Sequence, residues 1–380
     1  MSRDPVPPDE ERLRQLFDAH LDVGLHHGAQ LAVYHEGDRV VDVAGGVTGP
    51  DGVETTTDRR HLLFSCTKPY AAVCLHRLRD RGAVDYDDAV VDHWPEFDRG
   101  DDRKAEVTVR HVLSHQAGLP TTGFEERFDE WGDWDAAVTA MEEADLVFEP
   151  GTTAAYHSLS FGFLVGELVR RISGMPIDEY AREHVFHPLG MDDTSIGLPD
   201  GVSGDAVATL VGFEPYNSCR DSGVGLDTGT KDAAALFNRE AIQRAVVPAA
   251  TGIGTARDMA RFYACLANGG ELDGVRLLRE ETVVAATALE VAVDRDATVG
   301  VPRRYALGFE RAGTVWDKYG SLSPPSTFGH GGLGSIIGWG DFEDRLAMAY
   351  VTNGVRDEYE HGARANAMAD AVRTVFGSRP

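Results

Sequence analysis

Two residues that could do chemistry together, Ser65 and Lys68, lie three positions apart in the segment 64–69. On a helix, residues three apart share one face with Cβ atoms about 5–6 Å apart, so the Lys68 amine can reach the Ser65 hydroxyl. A hydroxyl is a poor nucleophile until a neighbouring group takes its proton. A lysine can take that proton only if burial, or the positive end of a helix dipole, lowers its pKa. The pair therefore predicts nucleophilic catalysis by Ser65 with Lys68 as the base.

The alternative interpretation is that Ser65 caps a helix and that Lys68 is solvated, because S-x-x-K alone is a weak pattern. Two features favour chemistry. The chain keeps Lys68 although it has only three other lysines, which are Lys104, Lys231 and Lys318. Lys68 also precedes an almost wholly apolar stretch, residues 71–78, which we expect to form a buried helix.

Two later segments add polar groups that could complete such a site. Tyr156-His157-Ser158 follows the loop at residues 148–152, and the glycine-rich segment 328–332 precedes a predicted strand. Taken alone, a tyrosine before a helix usually packs and a glycine-rich segment usually turns. Together with S-x-x-K, in this order and at these separations, they resemble the serine β-lactamase and penicillin-binding-protein superfamily. The resemblance is strongest to its class C β-lactamase-like branch, which includes esterases and D-amino-acid peptidases.

Three further segments extend this resemblance over most of the chain. Residues 107–120 are similar to the T-[VI]-R-x-L-L-x-H-x-[SA]-G-L stretch of that branch, residues 186–194 to its P-L-G-M-x-x-T stretch, and residues 252–262 to the segment that ends in D-[ML]-x-[RK]-F. Six ordered matches are far more specific than any single motif.

The resemblance implies a mechanism and a set of site residues. Ser65 would attack a carbonyl and form an acyl-enzyme, while Lys68 and Tyr156 share the work of the general base. Tyr156 would then activate the deacylating water. The oxyanion would lie between the backbone N–H of Ser65 and that of Leu333, the residue that follows His330-Gly331-Gly332; each such donor typically lowers a barrier by about 3–4 kcal/mol. No metal or other cofactor is implied.

Two positions depart from a true class C β-lactamase, which has asparagine two residues after the tyrosine and lysine at the start of the third motif. Here Ser158 and His330 stand at those places. The asparagine helps to bind the amide side chain of β-lactams and the lysine helps to hold their carboxylate. We therefore expect an esterase or amidase of small uncharged substrates. The alternatives are a true β-lactamase, a D-amino-acid peptidase, or a catalytically inactive binding relative.

Other hydrolase chemistries are disfavoured by the sequence. No G-x-S-x-G occurs, which argues against an α/β-hydrolase. His111 and His115 are spaced as zinc ligands on a helix could be, but Val112 stands where an H-E-x-x-H motif has its glutamate. We expect both histidines to have packing roles.

Charge narrows the possible partners. Asp and Glu total 62 against 36 Lys and Arg, a formal net charge of −26. Such a surface repels phosphate and anionic lipid, so we expect neither a nucleic-acid nor a membrane partner, only a small ester or amide. Dispersed carboxylates and few lysines are typical of a halophilic protein, because high salt relieves their mutual repulsion. The oligomeric state stays open.

The first residues and the cysteines indicate the compartment. The N-terminal segment lacks the apolar core of a secretory signal, and no apolar run approaches the ~18 residues of a membrane span, so we expect a cytoplasmic protein. The cysteines contain no C-x-x-C pair and do not read as a disulfide framework. We expect two of them, Cys66 and Cys74, to share one buried helix; the others are Cys219 and Cys265.

Periodicity places the elements that would carry these residues. Helical spacing predicts helices over residues 9–27, from Ser65 onward, and over 359–375. The runs 29–35 and 39–44, joined by Glu36-Gly37-Asp38, predict a hairpin. Three more runs look like strands, at residues 305–310, 335–341 and 346–352.

The order of these elements predicts the fold class. Strands near both ends of the chain with helices between them indicate an α+β fold, in which helices flank an antiparallel sheet and a helical insertion interrupts it, as in β-lactamases and transpeptidases. We expect residues 1–80 and 245–380 to form the sheet domain and residues 81–244 a mostly helical region. Together they would make one catalytic unit.

Overall fold

Both ends of the chain contribute strands to one eight-stranded antiparallel sheet. A computed structural model describes residues 8–214, 229–314 and 317–377. Within these ranges the strands are β1 (Gly28–His35), β2 (Asp38–Gly46), β3 (His61–Leu62), β4 (Ser195–Ile196), β5 (Val211–Gly212), β6 (Gly252–Gly254), β7 (Glu271–Leu272), β8 (Val275–Arg276), β9 (Val291–Val293), β10 (Arg303–Tyr305), β11 (Glu310–Arg311), β12 (Phe328–Gly332), β13 (Ile336–Asp341), β14 (Leu346–Thr352) and β15 (Gly354–Val355). The order in the large sheet is β2-β1-β14-β13-β12-β11-β10-β9.

The helices pack on both faces of this sheet and beside it. In the described ranges they are α1 (Pro8–Asp22), α2 (Lys68–Asp80), α3 (Val90–His93), α4 (Val109–Leu113), α5 (Trp134–Glu143), α6 (Ser160–Ser173), α7 (Ile177–Ala181), α8 (Thr230–Phe237), α9 (Glu240–Arg244), α10 (Ala256–Ala267), α11 (Glu280–Thr287) and α12 (Glu358–Phe376). A π-helical turn, Arg182–Phe186, continues α7. None of the helices described is long and apolar enough to cross a bilayer.

Apolar residues divide between the two faces of the sheet. Helix α10 packs against β1, β13 and β14 on one face, while α1 and α12 cover the other. Register explains the division: on β13, Ile336 belongs to the core that contains α10, and its neighbour Ile337 belongs to the core that contains α1 and α12. Helices α2 and α6 extend the first core beyond the sheet. The predicted α+β fold is confirmed.

Three local predictions need correction. The predicted strand 305–310 is two strands, β10 and β11, because Gly308 turns the chain at φ +87°. The first helix ends at Asp22, and Gly24 follows it at φ +72°. The helix expected from Ser65 begins at Lys68 and is preceded by a 3₁₀ turn, Ser65–Thr67, so that Cys66 and Cys74 lie on different elements.

The described cysteines are free thiols, and the strands of the large sheet come from two separate parts of the chain. Cys66, Cys74 and Cys265 are buried free thiols, and Cys219 lies outside the described residues. All eight strands of the large sheet fall within residues 1–80 or 245–380, and the region 81–244 contains α3 to α9. The division into a sheet domain and a helical region stays a prediction.

Candidate active site

The turn that carries Ser65 is held in a conformation that L-residues rarely adopt. Phe64 has φ +48° and ψ −136°, although it is neither glycine nor asparagine. Such a residue costs on the order of 1–3 kcal/mol and persists only where its surroundings enforce it. The buried Phe64 ring meets Phe237 of α8 edge-on at 4.9 Å between centroids. The enforced conformation of Phe64 fixes the direction in which the chain enters the turn, and so orients the half-buried Ser65 that follows.

Thr67 connects this turn to strand β6 through two hydrogen bonds of its hydroxyl. Its hydroxyl donates to the Phe64 carbonyl at 2.6 Å and accepts from the Gly252 N–H at 2.8 Å. A Cβ on Gly252 would stand 2.5 Å from Thr67 Oγ1, so only glycine fits there. The segment 252–262, recognised by its similarity to the class C-like branch, thus helps to position Ser65.

Lys68 lies in the first turn of α2 and is fully buried. Its Nζ is 3.2 Å from Ser65 Oγ, 2.7 Å from the Ser158 carbonyl oxygen and 3.2 Å from the Ala249 carbonyl oxygen. Burial lowers the pKa of Lys68 from 10.5 to about 7, although the charge of Glu310 opposes the shift. A neutral amine at this place has two N–H groups for the two carbonyls and one lone pair for the Ser65 hydroxyl.

Tyr156 is half-buried beside this pair. Lys68 Nζ is 4.7 Å from the centroid of its ring. Burial raises the pKa of the Tyr156 phenol far above its usual value, and the charge of Glu310 raises it further. A hydrogen bond with Ser65 opposes these effects and places the phenol next to the nucleophile. The phenol is therefore protonated at neutral pH.

Two buried side chains fix the segment around Tyr156. The Tyr156 N–H donates to Asp296 Oδ1 at 3.0 Å, and the same carboxylate accepts from the Tyr305 hydroxyl at 2.9 Å. On the other side, the His157 N–H donates to His115 Nδ1 at 3.1 Å, and the His115 ring packs on Tyr156 with centroids 4.9 Å apart. The position of Tyr156 thus depends on chain segments more than 40 and 100 residues away.

His330 is the buried residue of β12 that faces Tyr156, with ring centroids 6.1 Å apart. Its Nδ1 is 2.7 Å from the Gly331 carbonyl oxygen, which can only accept, so Nδ1 carries the proton. Nε2 is then a lone-pair acceptor, and it has no hydrogen-bond partner among the described residues. Burial lowers the pKa of His330 to about 4, although the charge of Glu310 opposes the shift. At neutral pH this position offers a neutral acceptor in place of a cation.

The glycines of β12 let the strand approach the nucleophile closely. A Cβ on Gly332 would stand 2.7 Å from the Leu63 carbonyl oxygen, and Cys66 Sγ donates to the His330 carbonyl at 3.1 Å. Leu333, half-buried, follows directly. Where the chain is described, neither the Ser65 N–H nor the Leu333 N–H donates a hydrogen bond to another residue. Both amides are therefore free to bind an oxyanion.

The structure brings the predicted site residues together at one end of β12. Ser65, Lys68 and Tyr156 are in mutual contact. Beside them lie the last residues of β12, His330, Gly331 and Gly332, and Leu333, which follows the strand. Ser158 contributes its backbone carbonyl to Lys68. Its side chain, which stands where class C β-lactamases have asparagine, is half-buried.

Three residues at this site were not found from the sequence: Asp296, Glu310 and Lys318. Asp296 and Glu310 are buried carboxylates. Lys318 lies beside Gly331, where an added Cβ would stand 2.2 Å from its Nζ. A signal for Lys318 was present, because it is one of only four lysines. No local pattern distinguishes Asp296 or Glu310 from the chain's many other acids.

Two motifs of the resemblance have structural roles. His111 Nδ1 accepts from the Thr108 N–H at 3.2 Å and completes a capping box on α4, as its expected packing role requires. The segment 186–194 is tied to α10 because the Thr194 hydroxyl donates to Asp258 Oδ2 at 2.9 Å. Within the residues that the structure describes, no three His, Cys, Asp or Glu side chains gather as a metal site.

Fold and sequence together define a serine hydrolase built on an antiparallel sheet. A family model described as Beta-lactamase matches residues 13–373, and the chain belongs to that family. The esterase/beta-lactamase LipL of Mycobacterium tuberculosis (strain ATCC 25618 / H37Rv) is 36% identical over 343 residues, which are 86% of this chain and 77% of that protein. The predicted superfamily and the predicted hydrolase class are confirmed.

Two solved structures extend the similarity over nearly the whole chain. A penicillin-binding protein homologue from Caulobacter crescentus superposes with a TM-score of 0.83 at 31% identity, covering 98% of this chain and 99% of that one. A family VIII carboxylesterase superposes with a TM-score of 0.83 at 30% identity and the same coverage.

Proposed function

We propose that this protein hydrolyses small esters through an acyl-enzyme on Ser65, with Lys68 as the general base. The contact that carries this proposal is the 3.2 Å approach of the buried Lys68 amine to the Ser65 hydroxyl. With its pKa lowered to about 7, about half of the Lys68 side chains are neutral at pH 7. Each neutral amine directs two N–H groups to backbone carbonyls and a lone pair to Ser65.

In acylation, the Ser65 proton moves to Lys68 Nζ while Oγ bonds to the substrate carbonyl carbon. The carbonyl oxygen becomes an oxyanion that accepts from the Ser65 and Leu333 N–H groups. Collapse of this intermediate breaks the bond to the leaving oxygen, which takes the proton of the Tyr156 hydroxyl. Lys68 then returns its proton to Tyr156, so the site ends this half-reaction neutral.

In deacylation, water takes the place of Ser65 as the nucleophile and Ser65 becomes the leaving group. The Tyr156 oxygen orients the water, Lys68 accepts its proton, and the hydroxide attacks the acyl carbon. The bond to Ser65 Oγ breaks and Oγ regains the proton from Lys68. The raised pKa of Tyr156 gives it the role of acid and orienting group, and leaves the role of base to Lys68.

The preference for esters over β-lactams follows from the third motif. His330 presents a neutral acceptor where class C β-lactamases have a lysine, and Ser158 replaces an asparagine amide. Two relatives support an esterase, because LipL is named an esterase/beta-lactamase and one structural neighbour is a family VIII carboxylesterase. β-Lactam hydrolysis is the second candidate, supported by the second half of the LipL name.

A fluorophosphonate probe and a substrate pair test this proposal. We expect the probe to label Ser65, as located by peptide mass spectrometry, and Ser65→Ala to abolish both labelling and turnover. We expect kcat/KM for p-nitrophenyl acetate to exceed that for nitrocefin at least tenfold, a difference of about 1.4 kcal/mol in transition-state binding. Activity of Ser65→Ala above a few percent would refute the mechanism, and a preference for nitrocefin would refute the esterase assignment.

We propose further that the protein is adapted to high salt and works as one catalytic unit. Two of its four lysines, Lys68 and Lys104, are buried, and the side chain of Lys318 is only 14% exposed. Lys231 is thus the one lysine that is mainly exposed, at 64% of its side chain, in a protein of net charge −26. The site draws residues from both predicted regions: Ser65 and His330 from the sheet domain, Tyr156 from the helical region. A cytoplasmic location, like the lack of a nucleic-acid partner, stays a prediction.

A further inference from the structure

Lys318 is the second lysine near the site, and the mechanism above does not use it. Its side chain is 14% exposed and lies against β12 on the side opposite His330, since successive residues of a strand point to opposite faces. A Cβ on Gly331 would stand 2.2 Å from Lys318 Nζ and 2.6 Å from Lys318 Cε. The amine therefore occupies the space in which any other residue at position 331 would place its side chain.

The immediate neighbours of this amine are two carboxylates, neither within hydrogen-bonding distance. Lys318 Nζ is 4.0 Å from Glu310 Oε2 and 3.9 Å from Glu358 Oε2. Both acids have other donors: Glu310 accepts from the Tyr319 hydroxyl at 2.9 Å, and Glu358 accepts from the Gly334 N–H at 3.2 Å. Over the described part of the chain no hydrogen bond satisfies the three donors of the ammonium.

The position of the amine relative to the nucleophile indicates what those donors could bind. Gly331 precedes Gly332, which lies against the Leu63 carbonyl, and Leu333, whose free N–H is the proposed oxyanion donor. Pairing with β11 reaches only Gly329, so residues 330–332 have a free edge on that side. A substrate held at Ser65 and Leu333 would therefore extend along this edge, within reach of Lys318.

We propose that Lys318 is a specificity-determining residue that binds a carboxylate of the ester substrate. The preferred substrates would then be half-esters of dicarboxylic acids, or esters of an alcohol that carries a carboxylate. This inference rests on the proposed esterase function and revises the expectation of uncharged substrates. Because nitrocefin also carries a carboxylate, its expected disadvantage then rests on Ser158, which stands in place of the asparagine. The cation then comes from residue 318, outside the third motif, whose own first position holds the neutral His330.

The occurrence of this lysine supports a binding role over a purely structural one. Arginine outnumbers lysine 32 to 4 in the chain, and arginine serves the other internal ion pairs, such as Arg303 with Glu310 at 3.7 Å. A compact ammonium with free donors fits a site that must accept a further oxygen ligand.

Matched ester pairs test the inference. The first pair is p-nitrophenyl hemisuccinate against its methyl ester, with the carboxylate on the acyl side; the second is 4-acetoxybenzoate against its methyl ester, with the carboxylate on the leaving group. For the wild-type protein we expect kcat/KM to favour the anionic member of one pair, in spite of the net charge of −26, and the pair that responds identifies the side. In Lys318→Met we expect that preference to fall at least tenfold while the neutral ester keeps its kcat/KM.

A matched control removes an exposed positive charge elsewhere. Arg276→Met lies in the β7–β8 hairpin, where Arg276 is 52% exposed, and we expect it to leave both ratios unchanged. If Lys318→Met does not fold, Gly331→Ala displaces the amine without changing the charge of the chain, and should also reduce the preference.

The outcomes separate this inference from the proposed function. A wild-type protein that hydrolyses the neutral esters and disfavours both anionic ones overturns the role of Lys318 alone. An equal loss for anionic and neutral esters in Lys318→Met also overturns it, since it would show that Lys318 only supports Glu310. Lack of turnover of every ester would overturn the proposed function itself.

Discussion

Replacing Lys68 by arginine tests the assignment of the base most directly. The perturbation keeps a positive charge and N–H donors for the Ser158 and Ala249 carbonyls, but an arginine cannot be deprotonated in a protein. With a pKa of about 7, about half of the Lys68 amines are neutral at pH 7, against about one in 3,000 for a lysine at 10.5. For arginine, with a pKa above 12, the neutral fraction is below about one in 100,000.

These fractions set the expected size of the effect. Loss of the base should lower kcat/KM by at least about a thousandfold, or roughly 4 kcal/mol of transition-state stabilisation, until residual catalysis by the oxyanion donors sets a floor. The same pKa gives the sign of the pH dependence. Because Lys68 acts as a base, wild-type kcat/KM should rise with pH through about 7 and then level off.

The assay is p-nitrophenyl acetate hydrolysis between pH 6 and 9, with thermal unfolding measured to confirm that each variant folds. Lys68→Met, a neutral side chain of similar length, should lose as much activity as Lys68→Arg. The exposed Lys231→Arg is the matched control and should behave as wild type. A Lys68→Arg enzyme within tenfold of wild type, with a wild-type pH profile, would show that the base lies elsewhere.

Three further predictions concern stability and positioning. Asp296→Ala should lower kcat more than it raises KM, at least tenfold in steady-state assays, because it frees the Tyr156 N–H; an unchanged kcat would refute this positioning role. Acid should destabilise the protein below about pH 6. Burial lowers the pKa to about 4 for four histidines, which are His61, His76, His157 and His330, whereas histidines of the unfolded chain bind protons from about pH 6.5 downward. Between these values the unfolded chain binds more protons than the folded one, so falling pH favours unfolding. Asp258, whose pKa burial raises to about 6, partly opposes this effect. Together these groups should lower the free energy of unfolding by about 4 kcal/mol per pH unit near pH 5. A urea midpoint that stays the same between pH 7 and pH 5 would contradict the prediction. Lowering salt from molar to ~0.1 M lengthens the Debye length from about 3 to about 10 Å and should lower the unfolding midpoint, whereas a constant or rising midpoint would refute the high-salt adaptation.

Local patterns in the sequence were sufficient for the four longest strands and the longest helix of the described chain. The hairpin of β1 and β2, the strands β13 and β14 and the helix α12 all lie within three residues of their predicted bounds. Alternation and helical spacing depend on neighbours a few residues apart, so they are readable from the chain alone. Prediction was wrong where one backbone conformation decided the outcome, as at Gly308, which splits the predicted strand 305–310.

The sequence by itself also determined the family and the candidate residues Ser65, Lys68 and Tyr156, because these stand in short motifs at characteristic separations. Only the tertiary structure decided their chemistry. The pKa of Lys68 depends on burial and on the Ala249 carbonyl 181 residues away, and Tyr156 is held by Asp296 140 residues away. Likewise Lys318 reaches β12 through a gap that Gly331 leaves open. The neighbouring charges, the local dielectric constant and the distances between groups depend on the three-dimensional surroundings of a residue. A motif specifies which groups are present but not what surrounds them.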